Sequence, residues 1–176
     1  MIILVGESAS GKSSIEKNLV EKHGYKRVIS YTTRKPRAGE HDGVDYHFIT
    51  EETFLKLKDK GGFFAETAVY NGWYYGSAKS DCTDDKVAVM NPHGLRQVRN
   101  IDGINVTAFY INVPRRDRLI KILQRGDDIE EAYRRSVHDD GQFAGIEDEC
   151  DYVIHNPNYT YDIDTMTDTV LYLLGK

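Results

Sequence analysis

The run Gly6-Glu7-Ser8-Ala9-Ser10-Gly11-Lys12-Ser13 constrains this chain more than any other feature in it. It fits the pattern GxxxxGK[ST], which has physical meaning only between a strand and a helix. Both neighbours are legible. Residues 1–5, Met-Ile-Ile-Leu-Val, read as a short buried strand ended by Gly6. A helix is predicted from about Lys12 to His23, closed by Gly24. In that setting the glycines let the backbone curl, so that several N–H groups point at one phosphate. The helix N-terminus adds partial positive charge. Lys12 is placed to bridge the β- and γ-phosphates of a nucleoside triphosphate, and the Ser13 hydroxyl to ligate Mg²⁺. The triphosphate contacts are thus expected from Gly6, Glu7, Ser8, Ala9, Ser10, Gly11, Lys12, Ser13 and Ser14.

The rest of the chain alternates apolar strands with helices. Strands are predicted at Tyr25 to Ser30, Lys86 to Met90, Val106 to Val113 and Tyr152 to His155. Helices follow from Pro92 to Arg99, Arg116 to Arg125, Ile129 to His138, and along the stripe Ile163, Met166, Val170, Leu173 and Leu174. This order implies an α/β core, a parallel sheet flanked by helices on both faces. Two stretches break the alternation. Tyr31 to Asp45 reads as a polar, basic loop and Tyr46 to Ile49 as extended chain. Thr50 caps a helix to about Lys60, and Phe63 to Gly76 reads as a hairpin turning at Asn71-Gly72. Residues 120–148 are charged and helical, with Gly141 and Gly145 flanking a flexible stretch. The expected division is a core of about 1–30, 81–119 and 149–176, a β-rich lobe of about 31–80, and a helical lid of about 120–148.

Composition narrows the setting. A chain of 176 residues with 40% hydrophobic residues suits one compact domain. Its net charge of −5 gives no basic footprint for a nucleic acid. Basic residues do crowd at Arg34, Lys35 and Arg37, which suits a small anion. The cluster Arg115, Arg116 and Arg118 reads as solvated surface. Cys82 and Cys150 lie far apart without metal-ligand spacing, which fits a reduced, cytoplasmic setting. No run is long enough for a membrane span. Monomer and homodimer both remain open.

The segment after the second strand carries a more specific message. Ser30-Tyr31-Thr32-Thr33-Arg34-Lys35-Pro36-Arg37-Ala38-Gly39-Glu40 leads into Gly43-Val44-Asp45-Tyr46-His47-Phe48. Glu66-Thr67-Ala68 and Gly72-Trp73-Tyr74-Tyr75-Gly76-Ser77 follow. These pieces, in order, resemble the nucleoside-monophosphate site of guanylate kinases. The resemblance covers most of the chain, strongly over residues 1–80. It implies a P-loop enzyme that moves the terminal phosphate of ATP onto GMP or dGMP with Mg²⁺. Arg34, Arg37, Tyr46 and Tyr75 would grip the acceptor's phosphate. Glu66 would accept hydrogen bonds from guanine, and Ser30 and Ser77 would contact the base. Planar guanidinium forks suit phosphate oxygens. A carboxylate facing adenine would be left unpaired, so the site would discriminate between purines.

Further resemblances lie in the last third. Arg125 and the pair Arg134-Arg135 resemble lid arginines that stabilise charge on the migrating phosphoryl group. The spacing from Gly126 to the pair is about one residue short of the usual pattern. Asp151-Tyr152-Val153-Ile154-His155-Asn156 resembles a family motif whose asparagine lies near adenine. One departure stands out. The family pattern [DE]-x-D-x-Q-G falls on Val89-Met90-Asn91-Pro92-His93-Gly94, so Val89 and Asn91 stand where acids are expected. Asn91 is a candidate to hold a metal-bound water. His41, His47 and His93 are read as non-catalytic, since a phosphate oxygen is already deprotonated at neutral pH. A kinase of the same fold with another acceptor, or a catalytically weak binding module, are the alternatives.

Overall fold

The computed structural model describes residues 1–37, 39–70, 72–126 and 129–176; Ala38, Asn71, Asp127 and Asp128, and the side chains of Tyr70, Glu131, Ala132, Arg135, His138 and Asp140, lie outside the described residues. The expected strand-loop-helix opening is there. Strand β1 spans Ile2–Val5 and helix α1 Lys12–His23, closed by Gly24 in a left-handed cap. Strand β2 is only Lys26–Arg27, β7 is Lys86–Val89, β8 is Thr107–Asn112 and β9 is Tyr152–His155. These five form one parallel sheet in the order β2-β7-β1-β8-β9. The phosphate loop therefore leaves the middle strand, at the ends of the strands where α/β sheets place ligands.

Both faces of this sheet are covered, which is why β1 is buried at every residue. Ile2 and Leu4 pack with Ile15 and Leu19 of α1 and with Met166 and Val170 of the C-terminal helix, Ile163–Leu173. Ile3 and Val5 face the opposite way. They pack with Leu95 and Val98 of helix α3, Pro92–Arg99, and with Ile146. The strand's two-residue alternation thus sorts one apolar run into two cores.

A second sheet of four strands holds residues 31 to 78. Its strands are β3 (Tyr31–Thr32), β4 (His47–Phe48), β5 (Phe64–Tyr70) and β6 (Trp73–Ala78), in the order β4-β3-β6-β5. Helix α2, Glu51–Asp59, starts at Thr50, whose side chain accepts the Thr53 N–H as expected of a cap. α2 sends Phe54 into this sheet, where the ring stacks on Phe64 and Tyr74 with centroids 4.5 and 5.3 Å away.

The structure corrects the reading in three places. The expected strand 25–30 stops at Arg27. Val28 makes one more bond, to the Val87 carbonyl, and the chain then crosses into the second sheet. Tyr31 and Thr32, read as loop, form β3 because they find Gly76 and Tyr75 on one side and His47 and Phe48 on the other. Those partners are distant in sequence, so no local pattern announces them. Gly141, expected in a flexible stretch, is helical. The two helices of the last third are α4, Arg115–Gln124, and α5, Ile129–Gln142. Among the described residues no helix is long and apolar enough to cross a membrane.

Candidate functional site

The phosphate loop closes on itself tightly. A side chain at Gly6 would bring a Cβ to 2.7 Å from both the Ile111 carbonyl and Ser10 Oγ, so only glycine fits there. Gly11, with φ of 97°, opens α1 in the left-handed region. Lys12 folds back and donates to the Glu7 carbonyl at 2.7 Å and to Ser10 Oγ at 3.2 Å. Desolvation lowers its pKa to about 8, against the opposing pull of Asp139 and Glu7.

Two residues that the motif does not name support this loop. Arg118 is buried (5% exposed), not solvated as its cluster suggests. It donates from Nε to the Val113 carbonyl at 2.9 Å and lies 3.4 Å from Glu7 Oε1 and 3.7 Å from Asp139 Oδ2. Its neighbours Arg115 and Arg116 are exposed, as expected. Asp139, buried on α5, accepts the Ser8 backbone N–H at 2.7 Å. A carboxylate therefore occupies one donor of the phosphate cradle. The role of Arg118 at the loop can be recognised only after folding, because its loop partners, Glu7 and the Ser8 carbonyl, lie about 110 residues away in sequence.

A cavity of about 480 Å³ opens beside the loop. Ala9 to Ser14, Arg125 and Asn156 all line it, which brings most of the expected triphosphate residues together. Asn156 is buried, and both ends of its amide are engaged by the Tyr161 backbone, at 2.9 Å each. It shapes the wall. Tyr159, which sequence reasoning missed, also lines the cavity. Its hydroxyl donates to the Ala9 carbonyl at 2.9 Å, and Lys121 Nζ lies 5.4 Å from its ring centroid.

A second cavity, of about 310 Å³, lies between the two sheets. Ser13 lines it as well, together with Ser30, Tyr46, Glu66 and Ser77. Ser77 Oγ donates to Glu66 Oε1 at 2.8 Å, and Ser30 Oγ lies 3.0 Å from Ser77 Oγ. Burial raises the pKa of Glu66, and its hydrogen bonds with Ser77 oppose the rise. Behind this wall Arg34, buried (7% exposed), makes a bidentate pair with Glu40 at 2.9 and 2.8 Å. The Arg34 guanidinium also sits 5.5 Å from the Tyr46 ring, and Tyr75 packs edge-on against Tyr46 at 6.0 Å. Glu40 further accepts the Arg37 N–H at 2.7 Å, while the Arg37 side chain is exposed.

Other expected residues stand elsewhere. Arg134 is exposed on α5, and the Arg135 side chain lies outside the described residues. Among its described side chains, α5 buries Ser136 and Asp139. Asn91 caps the helix 92–99 by accepting the Gly94 N–H at 2.8 Å, and it lines a separate cleft with His93 and Arg96. Among the described residues, no three His, Cys, Asp or Glu side chains cluster as a metal cage. Mg²⁺ that arrives on phosphates needs no such cage, because it keeps waters and takes one or two protein oxygens. Ser13, which lines both cavities, carries a hydroxyl of the kind that mode needs.

The family model described as Guanylate kinase matches residues 1–170. A guanylate kinase of Nitratidesulfovibrio vulgaris is 38% identical over 144 residues, covering 78% of this chain and 69% of that one. One from Nitrosococcus oceani is 33% identical over 167 residues, covering 90% and 81%. The crystal structure of guanylate kinase from Anaplasma phagocytophilum superposes with a TM-score of 0.71 over 99% of this chain and 83% of that one, at 24% identity.

Proposed function

Since the chain belongs to the guanylate kinase family, we propose that it moves the terminal phosphate of ATP onto GMP or dGMP, giving ADP and GDP or dGDP. One observation carries the reading for these particular residues. Ser13 lines both the cavity of the phosphate loop and the cavity floored by Ser30, Ser77 and Glu66. A donor phosphate in the first and an acceptor in the second therefore meet at one point.

In this reading ATP lies on Gly6 to Ser14, with its base toward Asn156 and Tyr159. The acceptor's guanine meets Glu66, Ser77 and Ser30, and its phosphate meets Arg34, Arg37, Tyr46 and Tyr75. An oxygen of that phosphate attacks the γ-phosphorus in line, the bond to the β–γ bridging oxygen breaks, and ADP leaves. Lys12, Arg125 and the α5 arginines Arg134 and Arg135 offset the charge. Mg²⁺, held on Ser13, would neutralise phosphate charge and help align the two nucleotides. The lobe of about 31–80 and the lid of about 120–148 close to exclude water, which would otherwise take the phosphate. The chain works in the cytoplasm as a monomer or homodimer.

Calorimetric titration tests the acceptor half directly: GMP binds and AMP does not. Equal binding of both would contradict the role given to Glu66. The donor half makes its own prediction. ATP needs the Ser8 N–H that Asp139 now holds. Asp139→Asn, which removes a competing charge from the cradle, is expected to tighten ATP binding by about tenfold, the order of one charge-assisted hydrogen bond. Unchanged or weaker ATP binding would show that Asp139 does not compete with phosphate.

A further inference from the structure

The strand end next to the phosphate loop has lost its acids, yet a carboxylate stands there. Glu16 lies one helical turn after Ser13 on α1, so the two side chains share a face. Both line the 310 Å³ cavity, and so does Val89 at the end of β7. The Glu16 side chain is only 7% exposed. It pairs with Arg27 Nη2 at 2.8 Å. A glutamate in the interior of a helix is rarely this buried unless it is paired. The pairing itself is a weak reason to keep it, since two apolar side chains would hold α1 to β2 as well or better.

The chemistry of the neighbourhood gives a stronger reason. A phosphate-loop site holds its Mg²⁺ with the loop hydroxyl and an acid near the end of the adjacent strand. Here that strand ends in Val89, and the Asn91 amide oxygen is engaged by Gly94 in another cleft. Glu40, Asp45 and Glu66 line that cavity too, but Arg34, the His41 N–H and Ser77 engage them; Glu16 is the carboxylate one helical turn from Ser13. We propose that Glu16, from helix α1, is the acid of this enzyme's magnesium site and binds the water ligands of the ion that Ser13 holds. Burial raises the pKa of this carboxylate, and the Arg27 charge and hydrogen bond oppose the rise. The acid has moved from the strand to the helix, which leaves the charge of the site intact while Val89 stays apolar. This inference rests on the ATP reading of the loop.

The test measures binding of a non-hydrolysable ATP analogue by calorimetry, in EDTA and in saturating Mg²⁺, together with thermal unfolding. Glu16→Gln keeps the shape and most hydrogen bonds of the parent. It is expected to bind the analogue in EDTA within about twofold of the parent, and about tenfold more weakly with Mg²⁺. Adding Val89→Asp to Glu16→Gln returns a strand-end acid and is expected to restore most of the Mg²⁺-dependent affinity. A mere latch between α1 and β2 cannot be rescued that way. Identical Mg²⁺ dependence in Glu16→Gln and parent would overturn the proposal. So would an equal loss in EDTA and in Mg²⁺, or a double variant no better than the single one. A parent that binds no analogue in either condition would instead overturn the ATP reading, and the proposal with it.

Discussion

Turnover by a Lys12→Ala variant is expected to fall by about a thousandfold or more, with the fold intact. Removing a single preorganised donor from a charge-stabilising site costs on the order of a hundred- to a thousandfold. In the proposed mechanism Lys12 brings a full charge to the bond that breaks, so its loss is expected at the upper end or beyond. The same residue predicts a pH dependence. Desolvation lowers its pKa to about 8 in the free protein. ATP brings negative charge, which favours the ammonium and raises that pKa in the complex. The sign follows. Below about pH 8 the ammonium is already present and binding takes up no proton through Lys12. Above it, the free protein must gain a proton to bind. Affinity then drops by up to roughly tenfold per pH unit until the pKa of the complex is reached. Calorimetry in buffers of different ionisation enthalpy should show proton uptake near about pH 9 and little near about pH 7. Lys12→Ala should abolish the uptake. An uptake that persists in the variant would place the titrating group elsewhere.

Glu66→Gln carries the second large effect. The guanine edge offers two donors, N1–H and the exocyclic amine, and a carboxylate accepts both. Glutamine presents one acceptor and one NH₂, which meets a donor with a donor. Each lost hydrogen bond to a charged group costs about 1.5–3 kcal/mol, so kcat/KM for GMP is expected to fall about a hundredfold or more. Ser77 donates to this carboxylate at 2.8 Å and is itself held by Ser30 at 3.0 Å. ATP binding should be unchanged. The raised pKa of Glu66 adds a pH signature: GMP binds the carboxylate form, so affinity is lost as pH falls through that raised value. Wild-type rates with GMP in Glu66→Gln would remove guanine from this cavity.

How much of this was readable beforehand depended on distance along the chain. The phosphate loop was legible because its physics is local: a strand, two glycines, a lysine and a helix start within a few residues. Ser30, Glu66 and Ser77 were legible only through resemblance; their spacing alone does not predict a hydrogen-bonded trio, which needs β3, β5 and β6 to pair. Arg118 was misread for a physical reason. An arginine among arginines at a helix start looks solvated, and only the return of α5 and the loop after β1 buries it. Asp139 gave no signal, since a helical aspartate in a charged segment is ordinary until a cradle N–H faces it. Glu16 shows the converse. Its i,i+3 relation to Ser13 was plain in the sequence, but its meaning depended on Val89 arriving beside it. The loop 31–45 hid a strand whose partners lie about 15 and 45 residues further on.

The proposed kinase activity is read most directly from ADP release with ATP and Mg²⁺ against GMP, dGMP, AMP, CMP and UMP in parallel. It requires turnover with GMP or dGMP and none above background with the other three. Turnover with AMP, CMP or UMP at a comparable rate, or none with any acceptor, would contradict it.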